Sequence, residues 1–98
     1  MKNYLQDLNK AFESRARLGI MSSLMVNDFM DFNALKELLE LTDGNLAGHT
    51  RALELAGYLR VEKSFVGRKP NTRFSITPEG RVAFEQHLEA LEKIIRNL

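Results

Sequence analysis

Apolar positions recur every three or four residues over most of this chain, switch to every second residue between positions 58 and 76, and then return to helical spacing. Leu5, Leu8 and Phe12 predict a short amphipathic helix over residues 3–12. Ser14 is placed to cap a second helix bearing Leu18, Met21, Leu24 and Met25, with Asn27-Asp28 at its end. Asp31 or Asn33 caps the next, which sets Leu35, Leu38 and Leu39 on the buried side and Lys36, Glu37 and Glu40 in water. Thr42 then offers a side-chain oxygen to the unpaired N–H groups of a helix beginning at Asp43, whose charge suits the positive helix end. On that helix Leu46, Thr50 and Leu53 share one side, while Gly44, Gly48, Arg51 and Leu55 share the other, flanked by Asn45, Ala47 and Ala52. Gly57 follows at the position where a left-handed residue closes a helix.

Alternation of apolar and polar residues from Tyr58 to Phe65, and again from Thr72 to Ile76, predicts two half-buried strands. The stretch between them, Gly67-Arg-Lys-Pro-Asn71, has turn chemistry and makes an antiparallel hairpin. Thr77-Pro78-Glu79 supplies an N-cap, a proline at the first helical position and an early acid for a last helix. Its apolar residues Phe84, Leu88, Leu91, Ile95 and Leu98 step by four, three, four and three. The expected fold is α+β and mainly helical: a helix-turn-helix with a two-stranded wing, framed by N- and C-terminal helices. A helix at a corner beside a basic hairpin is shaped for a major groove, with the hairpin on the phosphate backbone or in the minor groove.

A chain of 98 residues is expected to form one domain, 1–98, with a modest core. No cysteine is present, which fits a reducing cytoplasm and removes disulfides and thiolate metal sites. No apolar run approaches the roughly 20 residues that span a bilayer, and the polar N-terminus lacks the apolar block of a signal peptide. A soluble cytoplasmic protein is expected. Net charge is only +1, but it is unevenly spread: residues 58–76 hold Arg60, Lys63, Arg68, Lys69 and Arg73 against Glu62 alone, a net of +4, and the remainder sums to −3. That polarity suits one basic face for a polyanion.

Each candidate position also has an ordinary explanation. Gly48 lowers helix stability by about 1 kcal/mol relative to alanine, so it implies either close approach to a groove or tight packing on a neighbour. Asn45 has the geometry to read adenine and Arg51 to bind guanine or a phosphate. His49, lying between the two faces, suits a structural hydrogen bond or a phosphate contact, and without a second ligand one turn away it argues against metal. His87 reads as a surface or interface residue. Arg68, Lys69 and Arg73 would be a merely solvated turn were Arg60 and Lys63 not on the same hairpin. The stripes of residues 1–12 and 84–98 cover the chain's own core or form a seam between two copies; the seven-residue period favours a homodimer with Leu5, Leu8, Phe12, Phe84, Leu88, Leu91, Ile95 and Leu98 at its interface. No glycine-rich phosphate loop, placed nucleophile or paired-carboxylate motif suggests an enzyme, and no cofactor is implied.

Several segments together carry a family resemblance: Arg17-Leu-Gly-Ile-Met, Leu41-Thr-Asp-Gly-Asn-Leu-Ala-Gly-His, Leu53-Glu-Leu-Ala-Gly-Tyr-Leu, Phe65-Val-Gly-Arg-Lys-Pro and Phe74-Ser-Ile-Thr-Pro-Glu-Gly-Arg. Over residues 12–85 the chain resembles the small prokaryotic winged-helix transcriptional regulators related to the MarR and ArsR groups. The resemblance implies a dimeric repressor or activator specific for a double-stranded DNA sequence, with Asp43–Ala56 as reading helix, Val61–Ile76 as wing and the outer helices dimerising. The chain has Ala47 and Thr50 where relatives often have serine and leucine. It lacks the cysteine pair of metal-sensing ArsR members and is shorter than many ligand-sensing MarR proteins, so no effector carries over. The competing expectation is an adaptor that uses the same fold to bind protein. RNA binding is weaker still, because the strands lack a platform of surface aromatics.

Overall fold

The computed structural model describes residues 3–97. Two single 3-10 turns, Tyr4–Asp7 and Lys10–Phe12, precede α1 (Arg15–Val26), β1 (Met30–Asp31), α2 (Phe32–Leu39), α3 (Asp43–Leu55), β2 (Leu59–Val66), β3 (Lys69–Ile76) and α4 (Pro78–Arg96). The helix expected over residues 3–12 is therefore corrected to two turns. Asn9 interrupts it, because its side chain accepts the Ala11 N–H at 2.9 Å and restarts the chain as a new turn. Such local capping competes with helix continuation.

The four longer helices start where side-chain oxygens meet their unpaired N–H groups. Ser14 accepts from Arg17, Asp31 from Ala34, Thr42 from Asn45 and Thr77 from Gly80. The corner between α2 and α3 turns on Glu40, which adopts a left-handed φ of 53°, an uncommon conformation for a side chain other than Asn, Asp or Gly. The Leu41 N–H closes α2 by donating to Lys36 O at 3.1 Å. Lys36 also pairs with Asp43 across the corner at 2.8 Å, an exposed contact of modest value.

β2 and β3 form a hairpin with only Gly67 and Arg68 between the paired Val66 and Lys69, so the connection is shorter than the sequence suggests and Pro70 and Asn71 belong to β3. Gly67 takes a φ of 64° at the first central position, where a two-residue hairpin turn requires glycine. β1 adds a third antiparallel strand, order β1-β3-β2, pairing Met30 with Phe74 and Asp31 with Arg73. Between the helices and this sheet lies one core built from Phe12, Ile20, Met21, Leu24, Leu35, Leu46, Leu53, Leu59, Phe74 and Phe84. Leu38, expected inside, is exposed.

The start of α4 is joined tightly to the segment that follows α3. The Thr77 hydroxyl donates to Gly57 O at 2.7 Å and the Thr77 N–H to Tyr58 O at 3.0 Å. Gly80 packs so closely on Tyr58 that an added Cβ would lie 2.9 Å from Tyr58 Cα and closer still to its carbonyl oxygen. Deeper along α4, His87 is buried rather than superficial, which corrects its expected place. Its Nδ1 accepts the Asn9 N–H at 2.9 Å, while Asn9 Nδ2 donates to the Tyr58 hydroxyl at 2.9 Å. The Phe12 ring packs on both His87 and Phe84.

Burial lowers the His87 pKa below its ordinary 6.5, with the Glu13 carboxylate opposing the shift. A histidine held neutral in the fold favours the native state above pH 6.5 and loses that contribution as pH falls below it, because the unfolded chain takes up the proton first. Melting temperature is accordingly expected to drop between pH 7 and pH 5, and His87→Gln to flatten the part of that slope due to this site; identical pH profiles for the two proteins would remove His87 as its source.

Candidate nucleic-acid interface

α3 emerges from the Glu40–Thr42 corner with one side fixed in the core by Leu46, Thr50 and Leu53. The Thr50 hydroxyl donates to Leu46 O at 2.8 Å, so its polar group is satisfied within the helix. Gly44, Asn45, Gly48, Arg51 and Leu55 are exposed on the remaining surface. An added Cβ at Gly44 or Gly48 would meet no atom within 4 Å, so packing against a neighbour does not account for a glycine in the middle of this helix. His49 is half-buried, and its Nδ1 accepts the Arg17 Nε–H at 3.0 Å. Its neutral ring then carries hydrogen on Nε2. Arg17, whose Nη1 also donates to Ala11 O at 3.4 Å, stands in a segment that carries the family resemblance, but nothing in the sequence pairs it with His49; only the fold does.

A hollow separates α3 from the hairpin and is lined in part by Arg51, Glu54, Lys63 and Thr72. Strand pleating puts Lys63 on the α3 side of β2 and Arg60 on the opposite face. Arg68 occupies the turn and Lys69 begins β3, both exposed. Arg73 is placed differently. It lies midway along β3, opposite Glu62 and Asp31, with its guanidinium carbon 3.3 Å from the centroid of the Phe29 ring. Its Nε is buried without a hydrogen-bond partner among the described residues. The exposed cations nearest the tip are thus Arg68 and Lys69.

Two positions expected in a seam between chains, Phe12 and Phe84, are instead fully enclosed in this chain's own core. Their rings meet edge to face at 5.2 Å, and the first 3-10 turn lies along α4. Leu5, Leu88 and Ile95 remain exposed, Leu8 and Leu91 are half-buried, and Leu98 lies outside the described residues. The molecule measures 58 × 25 × 21 Å. Among the described residues no group of three or more histidine, cysteine, aspartate or glutamate side chains is arranged to hold a metal ion, and no helix is long and apolar enough to cross a membrane.

A family model described as a winged helix DNA-binding domain matches residues 16–95. The uncharacterized protein MJ0432 of Methanocaldococcus jannaschii is 37% identical over 89 residues, covering 91% of this chain and 97% of that protein. Among solved structures, the transcriptional regulator homologue protein from Pyrococcus horikoshii OT3 superposes with a TM-score of 0.87 at 31% identity, covering 96% of this chain and 95% of that one. The YusO protein of Bacillus subtilis shares the fold with a TM-score of 0.80 at 20% identity, over 96% of this chain and 66% of its own.

Proposed function

This chain belongs to the winged helix DNA-binding domain family, and from that premise we propose that it is a sequence-specific transcriptional regulator that grips duplex DNA as a homodimer. The fold is that of transcriptional regulators of the MarR and ArsR type. In this reading α3 enters the major groove with Asn45, Gly48, His49 and Arg51, and the hairpin sets Arg68 and Lys69 against the backbone or minor groove, with Arg73 behind them. The observation that carries the reading is the outer side of α3. It is uncovered, it keeps two glycines that nothing in the fold requires for space, and it stands beside a hairpin with a surplus of positive charge.

Base discrimination would fall to Asn45 and Arg51, whose side chains have the donors and acceptors to read base edges. His49, held at Nδ1 by Arg17, would offer its Nε2–H to a phosphate oxygen. Self-association would use the exposed apolar residues Leu5, Leu88 and Ile95 with Leu8 and Leu91, and would present two reading helices to half-sites about one helical turn apart. Selection of bound sequences from random duplex DNA tests the whole reading. A palindromic consensus is expected; enrichment of a single unrepeated half-site would remove the homodimer, and no enrichment with no salt-dependent affinity would favour a protein-binding adaptor.

A further inference from the structure

The hairpin carries an apolar tip that phosphate binding does not use. Phe65 is 73% exposed and Val66 is 66% exposed, at the last two positions of β2, and Phe65 sits across the ladder from Pro70. Neither side chain belongs to the core. Pleating places Phe65 on the same face as Val61 and Lys63, the two β2 residues that line the hollow beside α3. Exposed Lys63, Arg68 and Lys69 surround this tip, and Glu62 is the one acid between positions 58 and 76. An apolar point ringed by charge of one sign is complementary to a polyanion with an apolar interior, which describes a duplex with its phosphates outside and its stacked bases within.

We propose that Phe65 is a wedge that enters the minor groove beside Arg68 and partly unstacks a base step, so that the protein bends the DNA it binds. The proposal rests on the DNA-binding reading above. Apolar side chains inserted at a base step kink a duplex by about 20–90°, and the aromatic surface removed from water helps to offset the lost stacking. Arg68, at the turn, supplies the charge that holds the tip in the groove, where a narrow minor groove favours arginine. Because stacking exists at every step, the wedge acts on any sequence and is most effective at flexible pyrimidine–purine steps.

The test uses the full chain and a random-sequence duplex of about 30 base pairs carrying donor and acceptor dyes at its ends. Affinity, its salt dependence and the end-to-end energy transfer are measured for the parent, Phe65→Ala and Phe65→Leu, and thermal melts establish that each variant is folded. The parent is expected to bring the duplex ends closer. Phe65→Ala should bind about tenfold more weakly and bend the duplex less than half as much, with an unchanged salt slope because every cation remains. Phe65→Leu should restore the bend. A parent that binds without bending, or a Phe65→Ala protein that bends as the parent does, overturns the wedge and leaves DNA binding standing. Loss of self-association by Phe65→Ala in the absence of DNA would assign the tip to a contact between chains and overturn the wedge as well. A parent with no salt-dependent affinity for duplex removes the DNA-binding reading and the wedge with it.

Discussion

Gly80→Ala is expected to destabilise the domain by on the order of 3 kcal/mol, seen as a fall in melting temperature of more than about 10 °C. The added methyl would collide with the Tyr58 backbone, and backbone on both sides of the contact has no rotamer with which to give way. Relief would require α4 to tilt, which strains the hydrogen bonds from Thr77 to Gly57 and Tyr58. Gly48→Ala is the internal control. It introduces the same methyl into a helix with nothing within 4 Å, and should raise stability by up to about 1 kcal/mol. Equal melting temperatures for Gly80→Ala and the parent would show that the two segments can separate without loss.

Reversing both charges at the tip, Arg68→Glu with Lys69→Glu, should weaken duplex binding on the order of a hundredfold at moderate salt and make its salt dependence shallower by about 0.9 for each phosphate no longer neutralised. Both residues are exposed at the end of the hairpin, so the fold should be unaffected. The weakening should be similar for all sequences, since phosphates carry no base identity. Asn45→Ala and Arg51→Ala should instead alter preference among sequences, each by about 1–3 kcal/mol at one position. If the doubly reversed protein binds random duplex as tightly as the parent, the hairpin does not touch the backbone.

Much of the framework is legible in the chain because its signals are local. Ser14, Asp31, Thr42 and Thr77 cap the helices that follow them, and Gly57 takes a left-handed φ of 85° after α3, all from chemistry contained within a few residues. Features that depend on distant partners are not legible. β1 is two residues long and exists only because β3 passes beside it, too short for any periodicity. His87, three residues after Phe84 and four before Leu91, shares the apolar side of α4, but what makes a polar ring acceptable there is distant in sequence: the N-terminal segment lies across α4 and Asn9 donates to the ring. Gly80 hides inside a capping motif that needs no glycine; the close approach of Tyr58, 22 positions earlier in the chain, is what demands one.

Within the candidate site the same division holds. The exposed side of α3 follows from helical spacing once Leu46, Thr50 and Leu53 are assigned inward. Charge alone groups Arg73 with Arg68 and Lys69, although the alternation puts it in a strand and them in the connecting turn; its stacking is not legible, because Phe29 comes from the loop before β1 and its ring receives the guanidinium only after three strands have assembled. Pro70, which looks like a strand breaker, is accommodated in β3 because β1 reaches only Arg73 and Phe74, leaving β3 an edge strand at that point.

The junction of Thr77 and Gly80 with Gly57 and Tyr58 also determines how force travels through the molecule. Two hydrogen bonds and a close backbone contact tie the two segments there, so a push on the long C-terminal rod would be delivered to the far end of α3 instead of dissipating in a flexible linker. Anything that grips the rod would thereby gain a mechanical handle on the angle of that helix, in the manner of a tiller moving a rudder.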